Sequence, residues 1–381
     1  MGDKMGKIIY LGHFSSEENP RSVSPAGQTV MNYVCHSIKN AGYYVTMYSF
    51  AQATDKMPHQ KTEQVLDDNI KAIFGTCFKQ YRKNILMRIF TKIKREKTFF
   101  KELNEIIEDG DIVISYHSLA TMDLLKKLRK KKKFKFILQV CEIYADVLEN
   151  QKIRKKEIEF IKSADKYILI SNLLQKEIML ENKECIVCSG TYTAENVINE
   201  PSKDGKIHVV YAGTLDMTKG GAYFAVSAAK YLNKNYHMHI LGFGSEQQKN
   251  QLLKLIEDTK KDTNCSITYD GCLQGEEYVR FLQICHIGLS TQNPSGAYNA
   301  TSFPSKILVY LSNGLQVVSI KIPAIETSPV GHAMYFYENS TPKEIAQAVL
   351  TVDTTKKYDS RKLIDELNVE FIENLNRLLK E

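Results

Sequence analysis

Residues 207–221 read IHVVYAGTLDMTKGG, and this stretch decides the fold. A run of β-branched and aromatic residues, Ile207 to Ala212, ends in small residues and then a lysine followed by two glycines. That pattern is a buried strand delivering the chain into a turn and then a helix. The unit recurs downstream: His237–Leu241 (HMHIL) runs into Gly242-Phe243-Gly244, and short apolar runs return at Ile267–Tyr269, Ile287–Ser290 and Gln316–Ile320. Helical spacing fills 222–232, 248–260, 276–285 and 305–312 between them. Short apolar strands alternating with amphipathic helices predict a parallel sheet covered on both faces.

The same alternation precedes it, at Lys7–Gly12 (KIIYLG), Tyr44–Tyr48, Asp111–Tyr116, Phe134–Val140 and Lys166–Ile170, with a helix expected over 28–41. The polar stretch ENVINEPSKDGK, Glu195–Lys206, interrupts it and reads as a connector. The expected organisation is therefore α/β: two Rossmann-like doubly wound domains, 1–195 and 207–360, joined by a linker at 196–206. An amphipathic helix in 361–381 is expected to cross back to the first domain. A length of 381 residues suits two such cores. Ligands of doubly wound sheets bind beyond the carboxyl ends of the strands, so the residues following each strand carry the functional question.

Composition narrows the classes. An apolar fraction of 43% and a charged fraction of 25% fit a folded globular chain. No apolar run approaches the roughly 20 residues of a membrane-spanning helix, and the N-terminal residues lack a signal-peptide pattern. A cytoplasmic protein is expected. The eight cysteines lie mostly in apolar stretches, as reduced core residues do. Cys185 and Cys188 form one C-x-x-C, with no second pair or histidines at zinc-finger spacing. Residues 1–195 hold 32 Lys and Arg against 24 Asp and Glu, a net of +8; the remainder holds 19 against 20, a net of −1. A basic N-terminal half points to a polyanionic partner.

Three turns of the C-terminal half could hold an anion. Gly213-Thr214-Leu215 leads to Lys219 at a helix start, Gly242-x-Gly244 follows the next strand, and Thr301-Ser302-Phe303-Pro304-Ser305-Lys306 enters a third helix. Each also fits an ordinary strand-to-helix connection. G-x-G without a third glycine and a following acid disfavours a dinucleotide site. In the N-terminal half, Ser24-Pro25-Ala26-Gly27-Gln28 precedes a helix, His117 follows one strand, and Glu142 and Tyr144 follow another. An acid or imidazole there can support a reacting hydroxyl, or can cap a helix. In Lys79–Lys101, Ile85, Leu86, Ile89, Phe90 and Ile93 share one helical face among Arg82, Lys83, Arg88, Lys92, Lys94 and Arg95. Such a helix can lie on an anionic membrane surface, or pack into the core with a solvated basic side. No aromatic-interleaved basic patch indicates nucleic acid.

The order Ala212-Gly213-Thr214-Leu215 with Lys219-Gly220, then Gly242-Phe243-Gly244, then Gly271-Cys272-Leu273, then Pro304-Ser305-Lys306 running to Gly314 resembles retaining GT-B glycosyltransferases related to glycosyltransferase family 4. The resemblance covers most of residues 207–320. The family's basic residue of the first turn falls at Thr214, and its glutamate pair falls at Val309 and near Thr301. The chain is similar in this to a branch with a Pro-x-Lys helix start and no such pair.

The resemblance implies two domains facing across a cleft and transfer of a hexose-type sugar, with retention, from a nucleotide diphosphate donor, a UDP-sugar above all. The acceptor implied is a hydroxyl of a glycan or lipid-linked glycan, as in surface polysaccharide or capsule synthesis. Donor contacts fall on Gly27, Gly213, Thr214, Lys219, Gly242, Gly244, Leu273, Thr301, Ser302, Ser305 and Lys306. Glu142, His117 and Lys219 take the catalytic roles; Gln28 and Tyr144 take the acceptor. No cofactor and no metal are implied. Two other classes remain open on the residues: a sugar-nucleotide epimerase, and a non-catalytic glycan-binding partner of a glycosyltransferase.

Overall fold

The computed structural model describes residues 6–79, 81, 84–217, 220–292, 302–355 and 358–380. The chain divides into two units, residues 1–191 with 370–381, and residues 192–369. The expected α/β class with two Rossmann-like sheets is borne out.

The first unit contains β1 (Lys7–Gly12), β2 (Tyr44–Ser49), β3 (Thr62–Asp67), β4 (Ile70–Phe74), β5 (Ile112–Tyr116), β6 (Lys135–Val140), β7 (Lys166–Leu169) and β8 (Cys185–Val187). They form one sheet in the order β3-β4-β2-β1-β5-β6-β7-β8. All neighbours are parallel except β3, which pairs antiparallel with β4. Ile8, Ile9, Tyr10 and Leu11 of β1 are buried, as are Val113 and Ile114 of β5, because helices cover both faces. The helix Pro25–Asn40 starts as its sequence requires: Ser24 caps it through the Gly27 N–H, and Pro25 sits where no N–H is needed.

The second unit contains β9 (Ile207–Thr214), β10 (Tyr236–Phe243), β11 (Ser266–Gly271), β12 (Ile287–Ser290), β13 (Gln316–Ile320) and β14 (Met334–Tyr337). Its sheet runs β11-β10-β9-β12-β13-β14, parallel throughout. The stretch 196–206 groups with this unit. Its backbone is laced to the helix Gly275–Ile284: the Ile198 and Asn199 N–H groups donate to Gln283 Oε1 at 2.9 Å, and Ser202 donates to the Ile284 carbonyl. The last helix, Arg361–Lys380, begins in the second unit, and its residues from Glu370 on group with the first. There Phe371 stacks on Tyr33 at 5.5 Å, and Lys166 Nζ donates to the Leu378 carbonyl near the helix end, 2.9 Å away.

In both sheets the strand order reverses beside the first strand, between β1 and β5 and between β9 and β12. Those reversals leave a crevice at the carboxyl edge, where ligands of such sheets bind.

Candidate functional site

In the second unit β12 pairs with β9 only through Ile287↔Val209 and Gly288↔Val210, so the two strands part before Ala212. Tyr310, from the helix Lys306–Ser312, fills the gap. Its hydroxyl accepts from the Ala212 N–H at 2.8 Å. Gly288 is glycine because a β-carbon there would stand 2.3 Å from the Tyr310 ring. This pinning fixes the start of the helix at the carboxyl edge. Lys306 Nζ lies 4.4 Å from the centroid of the Tyr211 ring, a cation–π contact, and 3.5 Å from where a Gly213 β-carbon would be. Two segments 93 residues apart in sequence, Gly213 and Lys306, are thereby brought together.

Glycines make the rest of this edge. A β-carbon on Gly242 would meet the Gly213 carbonyl oxygen at 1.9 Å, and one on Gly221 would meet the Tyr211 hydroxyl at 2.2 Å. Gly220 has φ of 74°, which favours glycine. Gly244 is exposed, beside Leu215 and Gln248; Thr214, the last residue of β9, and Leu273, in the loop after β11, are half-buried. Ser302 is half-buried and Ser305 exposed. Ser305 makes no side-chain cap bond. The helix it precedes has seven residues, so the charge of Lys306 rather than a long helix dipole is what this end offers. Lys219 and Thr301 lie outside the described residues. Gly242→Ala is expected to destabilise the unit by about 1–3 kcal/mol through overpacking. A urea midpoint matching the parent would refute the close approach.

In the first unit Tyr116, Glu142 and Tyr144 gather at the carboxyl edge. A β-carbon on Gly27 would lie 3.8 Å from the Tyr116 hydroxyl, which places the first turn of the helix Pro25–Asn40 there. Glu142 is half-buried; burial and then the nearby Glu157 carboxylate push its pKa up, while His117 pulls it down. His117 is 1% exposed and stacks near Tyr144 and Phe160. Its Nε2 meets Glu157 Oε1 at 2.7 Å, and the same buried carboxylate accepts from the Tyr144 and Ala145 N–H groups at 2.8 Å. His117 therefore sits behind the edge and holds the Tyr144 turn in place through Glu157. Gln28 is likewise engaged at both ends of its amide, with the Ser15 N–H and the Ser15 carbonyl.

His13 stands in no motif of the sequence. It follows β1 beside Phe50 and Arg95 in a small cavity of about 80 Å³. A groove of about 660 Å³ adjoins it, sharing Lys92 and Arg95 and adding Lys79 and Arg88. Burial, with the Arg95 charge adding to it, pushes the His13 pKa down to about 4. An unfolded histidine takes up its proton near pH 6.5. A depressed value contributes stability above that pH, and the contribution fades as pH falls through about 4. His13→Gln should flatten the loss of stability between those limits; parallel urea midpoints for both chains across this window would contradict it.

The helix Ile85–Ile106 shows an unpartnered apolar stripe. Ile85, Leu86, Ile89, Phe90 and Ile93 are all 49–79% exposed. At 100° per residue, Arg88, Lys92 and Arg95 flank this stripe on one side and Lys94 and Lys101 on the other. Arg82 and Lys83 lie outside the described residues. No helix among the described residues is long and apolar enough to cross a membrane.

No model of a known protein family and no curated protein matches the chain. Solved structures do. Sucrose-phosphate synthase from Thermosynechococcus elongatus superposes with a TM-score of 0.68 at 12% identity, over 98% of this chain and 99% of that one. The E. coli trehalose-6-phosphate structure bound with UDP-2-fluoro glucose gives 0.65 at 12%, over 98% of each. A UDP-forming α,α-trehalose-phosphate synthase from Burkholderia xenovorans, in complex with glucose-6-phosphate, gives 0.61 at 11%, over 97% of each. The chain shares the GT-B fold of these enzymes along its whole length. Family 4 is not singled out by them.

Proposed function

We propose that the chain is a retaining glycosyltransferase that moves a hexose-type sugar from a nucleotide diphosphate, UDP above all, to a hydroxyl of a phosphorylated glycan or lipid-linked glycan. One observation carries the reading: Lys306, pinned by Tyr310, stands over Tyr211 against Gly213 at the strand-order reversal of the second sheet. A fixed cation beside side-chain-free backbone is what a departing diphosphate needs. In the transfer, the bond from the anomeric carbon to the diphosphate oxygen breaks and the bond to the acceptor oxygen forms. The acceptor proton passes to the leaving phosphate. Lys306, with Lys219, carries the charge that builds there. Thr214, Ser302, Ser305 and Thr301 offer hydroxyls to the donor, Gly27, Gly242 and Gly244 offer backbone, and Leu273 offers an apolar contact.

Glu142 and Tyr144 face the acceptor hydroxyl. His117 and Gln28 act as positioning residues. The solved structures lend support by likeness to a UDP-sugar donor, since one holds UDP-2-fluoro glucose, and to a phosphate-bearing acceptor, since another holds glucose-6-phosphate. The basic groove of Lys79, Arg88, Lys92 and Arg95 suits an acceptor that carries phosphate. The exposed apolar stripe beside it suits an acceptor delivered at an anionic bilayer, with the helix Ile85–Ile106 lying in the interface. Lipid-linked assembly of a surface polysaccharide fits both features. Transfer of this kind uses no metal and no other cofactor.

Titration calorimetry with UDP, GDP and their sugars, followed by a hydrolysis assay over the same panel, tests the reading. Binding of a uridine nucleotide with turnover of one UDP-sugar is expected. Absence of any nucleotide binding would favour the non-catalytic glycan-binding partner instead.

A further inference from the structure

The opposite end of the second sheet carries a cluster that sugar transfer does not use. Four of the nine histidines meet there: His208 in β9, His237 and His239 in β10, and His286 just before β12. His237 and His239 are two residues apart and so share a face of the sheet, and the register sets His208 beside His237. The His237 and His239 rings stack at 3.9 Å, and the His208 and His239 rings at 5.1 Å, 11° from parallel. Phe281 of the helix Gly275–Ile284 closes over His239 edge-on at 5.2 Å. His208 and His239 are 6% and 5% exposed.

The hydrogen bonds form a line. Asp204 Oδ1 meets His208 Nε2 at 3.1 Å, His208 Nδ1 meets His239 Nε2 at 2.8 Å, and His239 Nδ1 meets Asp270 Oδ2 at 3.1 Å. Thr268 Oγ1 donates to the same Asp270 oxygen at 2.8 Å and contacts His237 Nε2 at 3.1 Å. A carboxylate only accepts, so each outer ring nitrogen must be the donor to its aspartate. The two inner nitrogens then turn lone pairs toward each other. That contact is repulsive unless a cation lies between them, either a proton or a metal ion. Two features favour the metal. One ring nitrogen from each of His208, His237 and His239 lies within 4.8 Å of the others, and among the described residues this is the only such group. An aspartate behind two of the imidazoles is also the arrangement that orients metal-binding histidines.

We propose that His208, His237 and His239 bind one divalent transition-metal ion of the zinc class, with water in the fourth position. Imidazole suits this class, and ligands stand about 2.0–2.1 Å from zinc, so the inner pair opens slightly and His237 closes slightly on binding. Gly213 lies five residues along β9 from His208, or about 16 Å of strand. The ion would tie β9 and β10 to the Asp204 turn and would not touch the reacting sugar, so metal-free transfer is a separate matter.

The full chain, stripped with a chelator and exchanged into chelator-free buffer, is titrated with Zn²⁺ against a chromophoric competitor and with Co²⁺ by visible absorption. One equivalent of Zn²⁺, a thermal midpoint that rises with it, and the d–d bands of four-coordinate Co²⁺ are expected. His208→Gln and His239→Gln should lose that equivalent, and Cys272→Ser should keep it. Asp270→Asn should bind about 10–100-fold more weakly, which tests the site even where a histidine variant fails to fold. The proposal falls if the parent chain takes up no stoichiometric Zn²⁺, if the histidine variants retain it, or if nitrogen-detected NMR of the Zn²⁺-exposed chain shows a proton shared by His208 and His239.

Discussion

On the proposed reading, Lys306→Ala is expected to lower sugar transfer by about 10²–10³-fold, the usual loss when one fixed electrostatic partner of a developing charge is removed. The reason lies in how the lysine is held. Tyr310 anchors its helix to the Ala212 N–H, and the Tyr211 ring supports the ammonium from below. In the proposed transfer that charge would be in place before a diphosphate begins to leave, with no reorganisation needed. The cation–π contact with Tyr211 that the variant gives up is worth about 0.5–1 kcal/mol. Lys306→Arg keeps the charge but not its compact geometry, and should recover only part of the rate. The readout is kcat for nucleotide release at saturating donor, beside the urea midpoint. Unchanged turnover with an unchanged midpoint removes Lys306 from the donor site.

The second large effect concerns the helix Ile85–Ile106. Replacing Arg88, Lys92 and Lys94 by Gln should reduce partitioning onto anionic vesicles by about 10²-fold, at about 1 kcal/mol for each basic residue near the surface. Phe90→Ser removes an exposed ring whose full burial is worth about 1.5–3 kcal/mol, and should weaken binding without changing the folded chain. Flotation with phosphatidylserine-containing and purely zwitterionic vesicles, at two salt concentrations, reads both effects. Binding that ignores lipid charge, salt and Phe90 alike would mean that the stripe faces something other than a bilayer.

Much of the fold was legible because the signals were local. Strands buried on both faces carry unbroken apolar runs, as in Ile8–Leu11 of β1, Phe136–Leu138 of β6 and Val209–Ala212 of β9. The elements passed over lacked that signature. β3 (TEQVLD) is an antiparallel edge strand with Val65 74% exposed, so its sequence carries no buried period. β4 is a five-residue run following a hairpin turn, and β14 is four residues of which only Tyr337 is buried. The glycine turns were also legible, since Gly213 and Gly242 stand at or beside their strand ends, against the Tyr211 ring and the Gly213 carbonyl, and Gly220 takes a positive φ at a helix start.

The site was less legible because its chemistry is long-range. His117 reads alike in sequence whether it faces solvent or is locked to Glu157, 40 residues on, and only packing decides that. His13 follows its strand without a motif, and its low pKa depends on burial and then on Arg95 from a distant helix. The alternation His237-Met238-His239 is visible by eye, but its partners His208, Asp204 and Asp270 arrive through strand register.

By itself the sequence determined the class of the protein: two parallel sheets, their strand-to-helix turns, and a basic N-terminal half. These follow from periodicity, glycine sterics and charge, which act over a few residues. Tertiary structure alone decided which side chains meet. It set Lys306 over Tyr211, left the stripe from Ile85 to Ile93 bare, and gathered the histidines. Those outcomes depend on strand order and on what is left to cover a face, and no short stretch of chain encodes either.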